Sequence, residues 1–158
     1  MDLSKYRGEG GSGPRDNPRR QFESPGNRFV IQEHRATRFH YDFRLEMVDE
    51  NEEINPLHSW MIPKNIPLEP EVRHLAIKVD NKHLDFLEKD GEIVKGAFGS
   101  GEVLTWDKGK WGLMKGSIAS GQISFNLFGG IVKARFVMQR QEDGENKDHW
   151  LIWKASGY

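Results

Sequence analysis

Cysteine is absent from this chain of 158 residues. Disulfides and thiolate-bound zinc are thereby excluded, and any metal site must be built from His, Asp, Glu or backbone oxygen. No run approaches the roughly 18 apolar residues that a membrane span needs, and residues 1–13 lack an apolar signal-peptide core, so a cytoplasmic location and no membrane partner are expected. Helical period is equally scarce, limited to about one turn around Leu84 to Lys89. Nor is there an excess of positive charge. Lys and Arg number 23 against 24 Asp and Glu, which argues against a protein that coats nucleic acid through many phosphate contacts.

What is present points to strands and turns. Gly, Pro, Ser and Asn crowd residues 8–26, where Pro14, Pro18 and Pro25 break any regular element, so residues 1–28 read as an irregular arm and 29–158 as one domain. Short strand-like runs follow at Phe29–Glu33, His40–Met47, His58–Ile62, Leu75–Asp80, Glu102–Trp106, Lys110–Lys115, Gln122–Phe128, Ile131–Arg140 and His149–Lys154. They are separated by turn residues such as Asp107-Lys108-Gly109, Ser120-Gly121 and Gly129-Gly130. The pattern predicts an all-β fold of about eight or nine short antiparallel strands, a sandwich or a closed barrel, acting as a monomer. Trp60, Trp106, Trp111, Trp150 and Trp153 read as packing residues, with Trp106 or Trp111 able to stack a base.

Charge is unevenly placed. Up to Leu45 the chain carries nine cations against six acids, and eight of the nine are Arg, whose planar fork matches phosphate oxygens. The segment His34 to Glu46 concentrates the chemistry. From residue 40 it alternates strictly, with His40, Asp42, Arg44 and Glu46 on one side and Tyr41, Phe43, Leu45 and Met47 on the other. The aromatic side must face the core. The polar side is either the solvated face of an amphipathic strand or, because it holds His, Asp and Arg with His34 one turn away, a divalent metal site beside an anion site.

A resemblance favours the second reading. The runs Phe29-Val30-Ile31-Gln32-Glu33-His34 and Thr37-Arg38-Phe39-His40-Tyr41-Asp42-Phe43-Arg44-Leu45-Glu46 resemble the signature of the 3′-phosphoesterase domain of bacterial DNA ligase D. Ser59-Trp60-Met61-Ile62-Pro63-Lys64, the Gly96–Gly101 turn leading to Trp106–Trp111, and Trp150-Leu151-Ile152-Trp153-Lys154 agree in order and spacing. The resemblance implies a small antiparallel β-barrel of about eight strands with a polar central cavity, and a manganese-dependent DNA-repair enzyme that removes a 3′-terminal ribonucleoside and then hydrolyses the 3′-phosphate to a 3′-hydroxyl. It implies His34, His40 and Asp42 as metal ligands, and Arg44 and Lys64 as phosphate contacts. Substrates would be DNA or DNA/RNA 3′ ends at primer-template junctions, with ligase, polymerase and end-binding repair proteins as partners.

The chain departs from the family pattern in places. Lys82 stands where the family carries a catalytic His, with His83 next to it; His83 is assigned the role, and Lys82 a phosphate contact. Phe86 replaces a family Tyr, and His74 a family Arg. An arginine of the arm joins the family site, and Arg15 is favoured here over Arg20. Two other function classes remain. One is a non-catalytic module docking on nucleic-acid ends, its activity eroded at Lys82, Phe86 and His74. The other is a non-haem iron oxygenase using His40, Asp42 and the distant His149. His58 and His149 otherwise read as strand-end residues, and the Gly96–Gly101 turn as tight barrel geometry.

Overall fold

The computed structural model describes residues 26–47, 55–96, 99–142 and 148–156. Nine strands account for most of them: β1 (Arg28–Arg35), β2 (Phe39–Glu46), β3 (Leu57–Ile62), β4 (Arg73–Lys82), β5 (Glu92–Gly96), β6 (Gly99–Ser117), β7 (Gln122–Gly129), β8 (Lys133–Arg140) and β9 (His149–Lys154). Among the described residues a 3-10 turn, Leu84–Glu88, falls where the one helical signal was read. The strands form one antiparallel sheet in the order β1-β2-β3-β4-β9-β8-β7-β6-β5, and a further β1–β6 pairing closes eight of them into a ring. The fold is all-β as expected, with β5 added outside the ring.

Strand alternation divides the side chains cleanly. Phe29, Phe43, Leu45, Trp60, Phe125, Phe136, Trp150 and Ile152 all belong to one buried apolar cluster. Phe43 stacks on Phe125 and Trp60 meets Trp150 edge-on, so aromatic rings contributed by several strands fill the ring. This corrects one expectation: the centre of the ring is apolar. The polar row of β2 lies on the opposite face, because its residues alternate with Phe43 and Leu45. That outer face is covered by the 3-10 turn and β5.

Two expected strands are one. β6 runs through Asp107-Lys108-Gly109, whose composition predicts a turn. Asp107 is buried, and its carboxylate accepts the backbone N–H groups of Lys108 (2.9 Å), Gly130 (2.8 Å), Ile131 (3.1 Å) and Val132 (2.8 Å). It therefore caps the β7–β8 turn from a neighbouring strand rather than forming one of its own. A Cβ at Gly129 would collide with that carboxylate, so the glycine is required by the approach. In the β1–β6 pairing the register slips where Ile31 meets Asp107 and Gln32 meets Thr105, which leaves Trp106 as the bulged residue; its ring packs near Tyr41.

Asp107→Asn should lower the free energy of unfolding by about 1.5–3 kcal/mol, since an amide turns one acceptor oxygen into a donor facing backbone N–H groups. Urea denaturation followed by tryptophan fluorescence measures this; a change under about 0.5 kcal/mol, the level of a neutral surface substitution, would refute the capping role.

Candidate functional site

The polar row of β2 is not solvated. His40, Asp42, Arg44 and Glu46 are all buried, and Asp42 is only 7% exposed. Three of them meet residues of β1 in register: His34 opposite His40, Gln32 opposite Asp42 and Val30 opposite Arg44. At the far end Arg28 grips Glu46 with Nε at 2.8 Å and Nη2 at 2.9 Å, and its backbone N–H adds a third bond. Arg44 donates from Nε to Gln32 Oε1 (3.1 Å) and from Nη1 to Ser59 Oγ (2.9 Å), while its Nη2 lies 3.4 Å from Asp42 Oδ2.

Asp42 is the centre of the arrangement. His34 Nδ1 stands 3.1 Å from its Oδ2 and His40 Nε2 3.3 Å from its Oδ1. Each imidazole has its other nitrogen against a backbone carbonyl: His40 Nδ1 is 2.8 Å from the Arg38 oxygen, and His34 Nε2 is 3.2 Å from the Val94 oxygen. A carbonyl only accepts, so in each neutral ring that outer nitrogen carries the proton. The inner nitrogens then turn lone pairs toward a carboxylate. Three lone-pair donors facing one another need a cation or extra protons between them. These three atoms lie within 4.8 Å of one another, and the donor set of two imidazoles and one carboxylate fits a divalent metal ion.

Protonating an imidazole is the alternative to a cation there, since a charged ring donates from its inner nitrogen as well. Burial pushes the Asp42 carboxyl upward, yet the bonds to His34 and His40 and the charge of Arg44 outweigh it and hold Asp42 well below the usual carboxylate range. For His40, burial opposes the charged ring, but its bond to Asp42, that residue's charge and the Arg38 carbonyl together raise its pKa. Burial lowers the Arg44 pKa, and the Asp42 charge resists that shift. The ligand triad and Arg44 open into a cavity of about 170 Å³, whose other walls are Met61, Val79, Asp80, Lys82, Phe86, Val94 and Lys95. This is smaller than the roughly 300 Å³ at which drug-sized pockets begin, and suits a chain end rather than a whole ligand. The 3-10 turn is fastened to this site by Gln32, whose Nε2 donates to the Phe86 carbonyl at 2.6 Å.

Residues 32–140 match the sequence profile of the DNA ligase D 3′-phosphoesterase domain. The chain belongs to that family. It is 40% identical over 128 residues to the multifunctional non-homologous end joining protein LigD of Mycobacterium bovis, which covers 80% of this chain. Identity is 34% over 131 residues with LigD of Pseudomonas aeruginosa and 32% over 143 residues with LigD of Mycolicibacterium smegmatis, covering 81% and 84% of the chain. The chain spans only 16%, 15% and 18% of the length of those three proteins. Among the described residues no helix is long and apolar enough to cross a membrane.

The phosphoesterase-family positions fall in different places. His34, His40, Asp42 and Arg44 come together, and Lys82 lines the same cavity. His83 does not. Its side chain is 55% exposed, and its Nδ1 accepts the Asp85 N–H as the cap of the 3-10 turn. The reason is a register shift between Leu57 and Ser59 in the β3–β4 pairing. Val79 and Lys82, three residues apart, would face opposite ways in a regular strand; the bulge brings both to the cavity. Lys64 is exposed in the turn after β3, and His74 has its Nδ1 2.7 Å from the carbonyl of Asn65 in that same turn; neither lines the cavity. Arg15 lies outside the described residues.

His149 is also separated from the triad. Asp42, Met61, Ile77 and His149 follow one another across β2, β3, β4 and β9, so three strand spacings of about 4.8 Å intervene. Among the described residues His34, His40 and Asp42 form the only metal-capable group, which leaves the iron-oxygenase pattern without its third ligand. His58 is buried beside Asn81, with His58 Nε2 3.4 Å from the amide nitrogen. Trp111 is a core residue whose Nε1 donates to the Glu46 carbonyl at 3.0 Å. A residue that sequence reasoning missed is Val94, on a strand it did not predict, whose contribution is a backbone oxygen.

Arg44→Lys should cost about 1–3 kcal/mol of stability, because an ammonium cannot reach Gln32, Ser59 and Asp42 at once and leaves a buried acceptor short of its donor. Guanidinium chloride unfolding measures it. A loss below about 0.5 kcal/mol would show that the fork is not a structural element of the site.

Proposed function

We propose that the domain heals 3′ ends in DNA repair, acting as a manganese-dependent phosphodiesterase and phosphomonoesterase. The observation that carries this reading is the convergence of His34, His40 and Asp42 within 4.8 Å, beside the buried guanidinium of Arg44, in a cavity the size of a chain end. Family membership supplies the reaction class. The substrate would be the 3′ end of DNA or of DNA carrying a terminal ribonucleotide, with ligase, polymerase and end-binding proteins of the same repair route as partners.

The chemistry follows from the residues. In the first step water adds to phosphorus and the bond to the 5′ oxygen of the terminal ribonucleoside breaks, leaving a 3′-phosphate. In the second, water adds again, the bond to the 3′ oxygen of the strand breaks, and inorganic phosphate leaves. Both steps build negative charge on non-bridging oxygens and on the leaving oxygen, which ends with a proton. His34, His40 and Asp42 would hold a divalent cation, which would supply charge neutralisation to the phosphate. Arg44 has its fork fixed by Gln32 and Ser59 and presents its remaining donors to the same anion. Lys82, placed over the Phe86 ring at 5.6 Å, supports the opposite side. Two roles are proposed outside the cavity: Lys64 and His74 contact the strand as it approaches, and Arg15 reaches the site from the arm.

On a 3′-phosphate primer with manganese, His40→Ala and Asp42→Ala should each lower turnover by at least about 100-fold, since a ligand matters more than its outer-sphere partner. Near-normal turnover in either variant sinks the reading. Tight binding to 3′-phosphate ends with no metal-dependent product from the unmutated protein would favour the non-catalytic module, for which Lys82 and Phe86 are the motivating departures.

A second comparison assigns the basic residue. Lys82→Ala should reduce kcat/KM on the phosphate-ended primer about 10-fold, the loss of one charge-assisted contact, and His83→Ala less than about 3-fold. The reverse order would restore His83 to the site.

A further inference from the structure

Lys95 has no role in the ligand set or in the hydrolysis just described, yet it lines the cavity. It lies on β5 immediately after Val94, whose carbonyl is held against His34 Nε2 at 3.2 Å, so the strand that carries it is anchored to the ligand cluster. Lys82 enters the same cavity from the end of β4 and is steadied by the Phe86 ring. The two ammonium groups thus come from separate elements that wall one small space. Asp42 and Asp80 are the acids among the lining residues. Asp42 is already matched by Arg44 and two imidazoles, and Asp80 is exposed.

We propose that Lys95, together with Lys82, forms a second anion-holding wall that makes the cavity selective for a dianionic terminal phosphate over a monoanionic phosphodiester. The inference rests on the phosphoesterase reading above. Its physical basis is simple: the Coulomb attraction of an ammonium for a phosphate scales with the charge of the phosphate. A lysine worth about 5-fold in favour of a monoanion is worth about 25-fold in favour of a dianion at the same distance. Two lysines lining the cavity therefore each act as strongly on the difference between the two substrates as on the binding that the substrates share. They favour the monoester step, which leaves a 3′-hydroxyl, over the diester step that precedes it.

The test compares kcat/KM on phosphate-ended and ribonucleotide-ended primers with manganese. Lys95→Met should lower the first about 25-fold and the second about 5-fold, and Lys95→Arg, which keeps the charge, should restore the ratio. Equal losses on both substrates overturn the proposal. Lys95 is exposed on an edge strand, so its truncation leaves the core intact; Lys82→Met repeats the comparison from a different element and should shift the ratio in the same direction. A binding arm separates this inference from the proposed function. Methyl phosphate, above its second ionisation, should bind the manganese-loaded protein more tightly than dimethyl phosphate, with the preference about 5-fold smaller in Lys95→Met. No such preference overturns the selectivity even if both hydrolyses are observed. A preference that depends on Lys95, found without turnover on either primer, overturns the proposed hydrolysis alone.

Discussion

Asp42 is a carboxylate taken almost wholly out of water, and the outer face of the sheet is organised around keeping it charged. Removing an ion from solvent costs several kcal/mol unless positive or hydrogen-bonding partners offset it. Here the partners are His34, His40 and Arg44, and each of these, once buried, needs a partner of its own. Arg38 and Val94 supply carbonyls to the imidazoles, and Gln32 and Ser59 supply oxygens to the guanidinium. Gln32 then passes the requirement outward to the Phe86 carbonyl of the 3-10 turn. One buried charge thus fixes β1, β2, β3, β5 and the turn relative to one another. When the two imidazoles are neutral their lone pairs turn toward the carboxylate instead, and a cation between them would relieve that imbalance.

Placing this network on the outer face resolves a conflict that the ring interior could not. Eight strands enclose just enough space for side chains, and here aromatic rings fill it; a charged cluster there would displace packing and be sealed from substrate. On the outer face the same strands present the alternate residues, so the core and the site are built by one pattern without competing for space. The cost is exposure to water, and the 3-10 turn with β5 reduces it. Only a narrow cavity remains open.

The alternation of β2, the turn residues and the aromatic core were legible because each depends on local pattern. His34, His40, Asp42 and Arg44 come together for the same reason, since a short turn between β1 and β2 fixes their register. What could not be read depends on residues distant in sequence. β5 is a five-residue edge strand with Ile93 73% exposed, and Val94 matters through an oxygen that every residue has. Asp107-Lys108-Gly109 carries turn chemistry, but backbone donors of the β7–β8 turn claim the carboxylate and the strand continues. His83 turns away from the cavity while Lys82 stays in it as expected, because a bulge resets which side of β4 faces the cavity, and no residue in β4 announces it.

Phe86 shows how a departure from the family pattern still makes sense in this setting. Its ring lies 5.0 Å from the Arg44 guanidinium carbon, 5.6 Å from Lys82 Nζ and 5.4 Å from Lys89 Nζ. A phenyl face attracts cations through its quadrupole and consumes none of their N–H groups, whereas a hydroxyl would accept one of them. The ring thus steadies Arg44 and Lys82 at the cavity wall without taking up their N–H groups. Replacing an imidazole by an ammonium at position 82 is then consistent with replacing a hydroxylated ring by a plain one at position 86: the ammonium brings a full charge in place of a titrating one, and the ring steadies that charge without quenching it. Under the proposed function the two differences would compensate each other, a full positive charge held over a plain ring standing where the resemblance implies an imidazole beside a hydroxylated one.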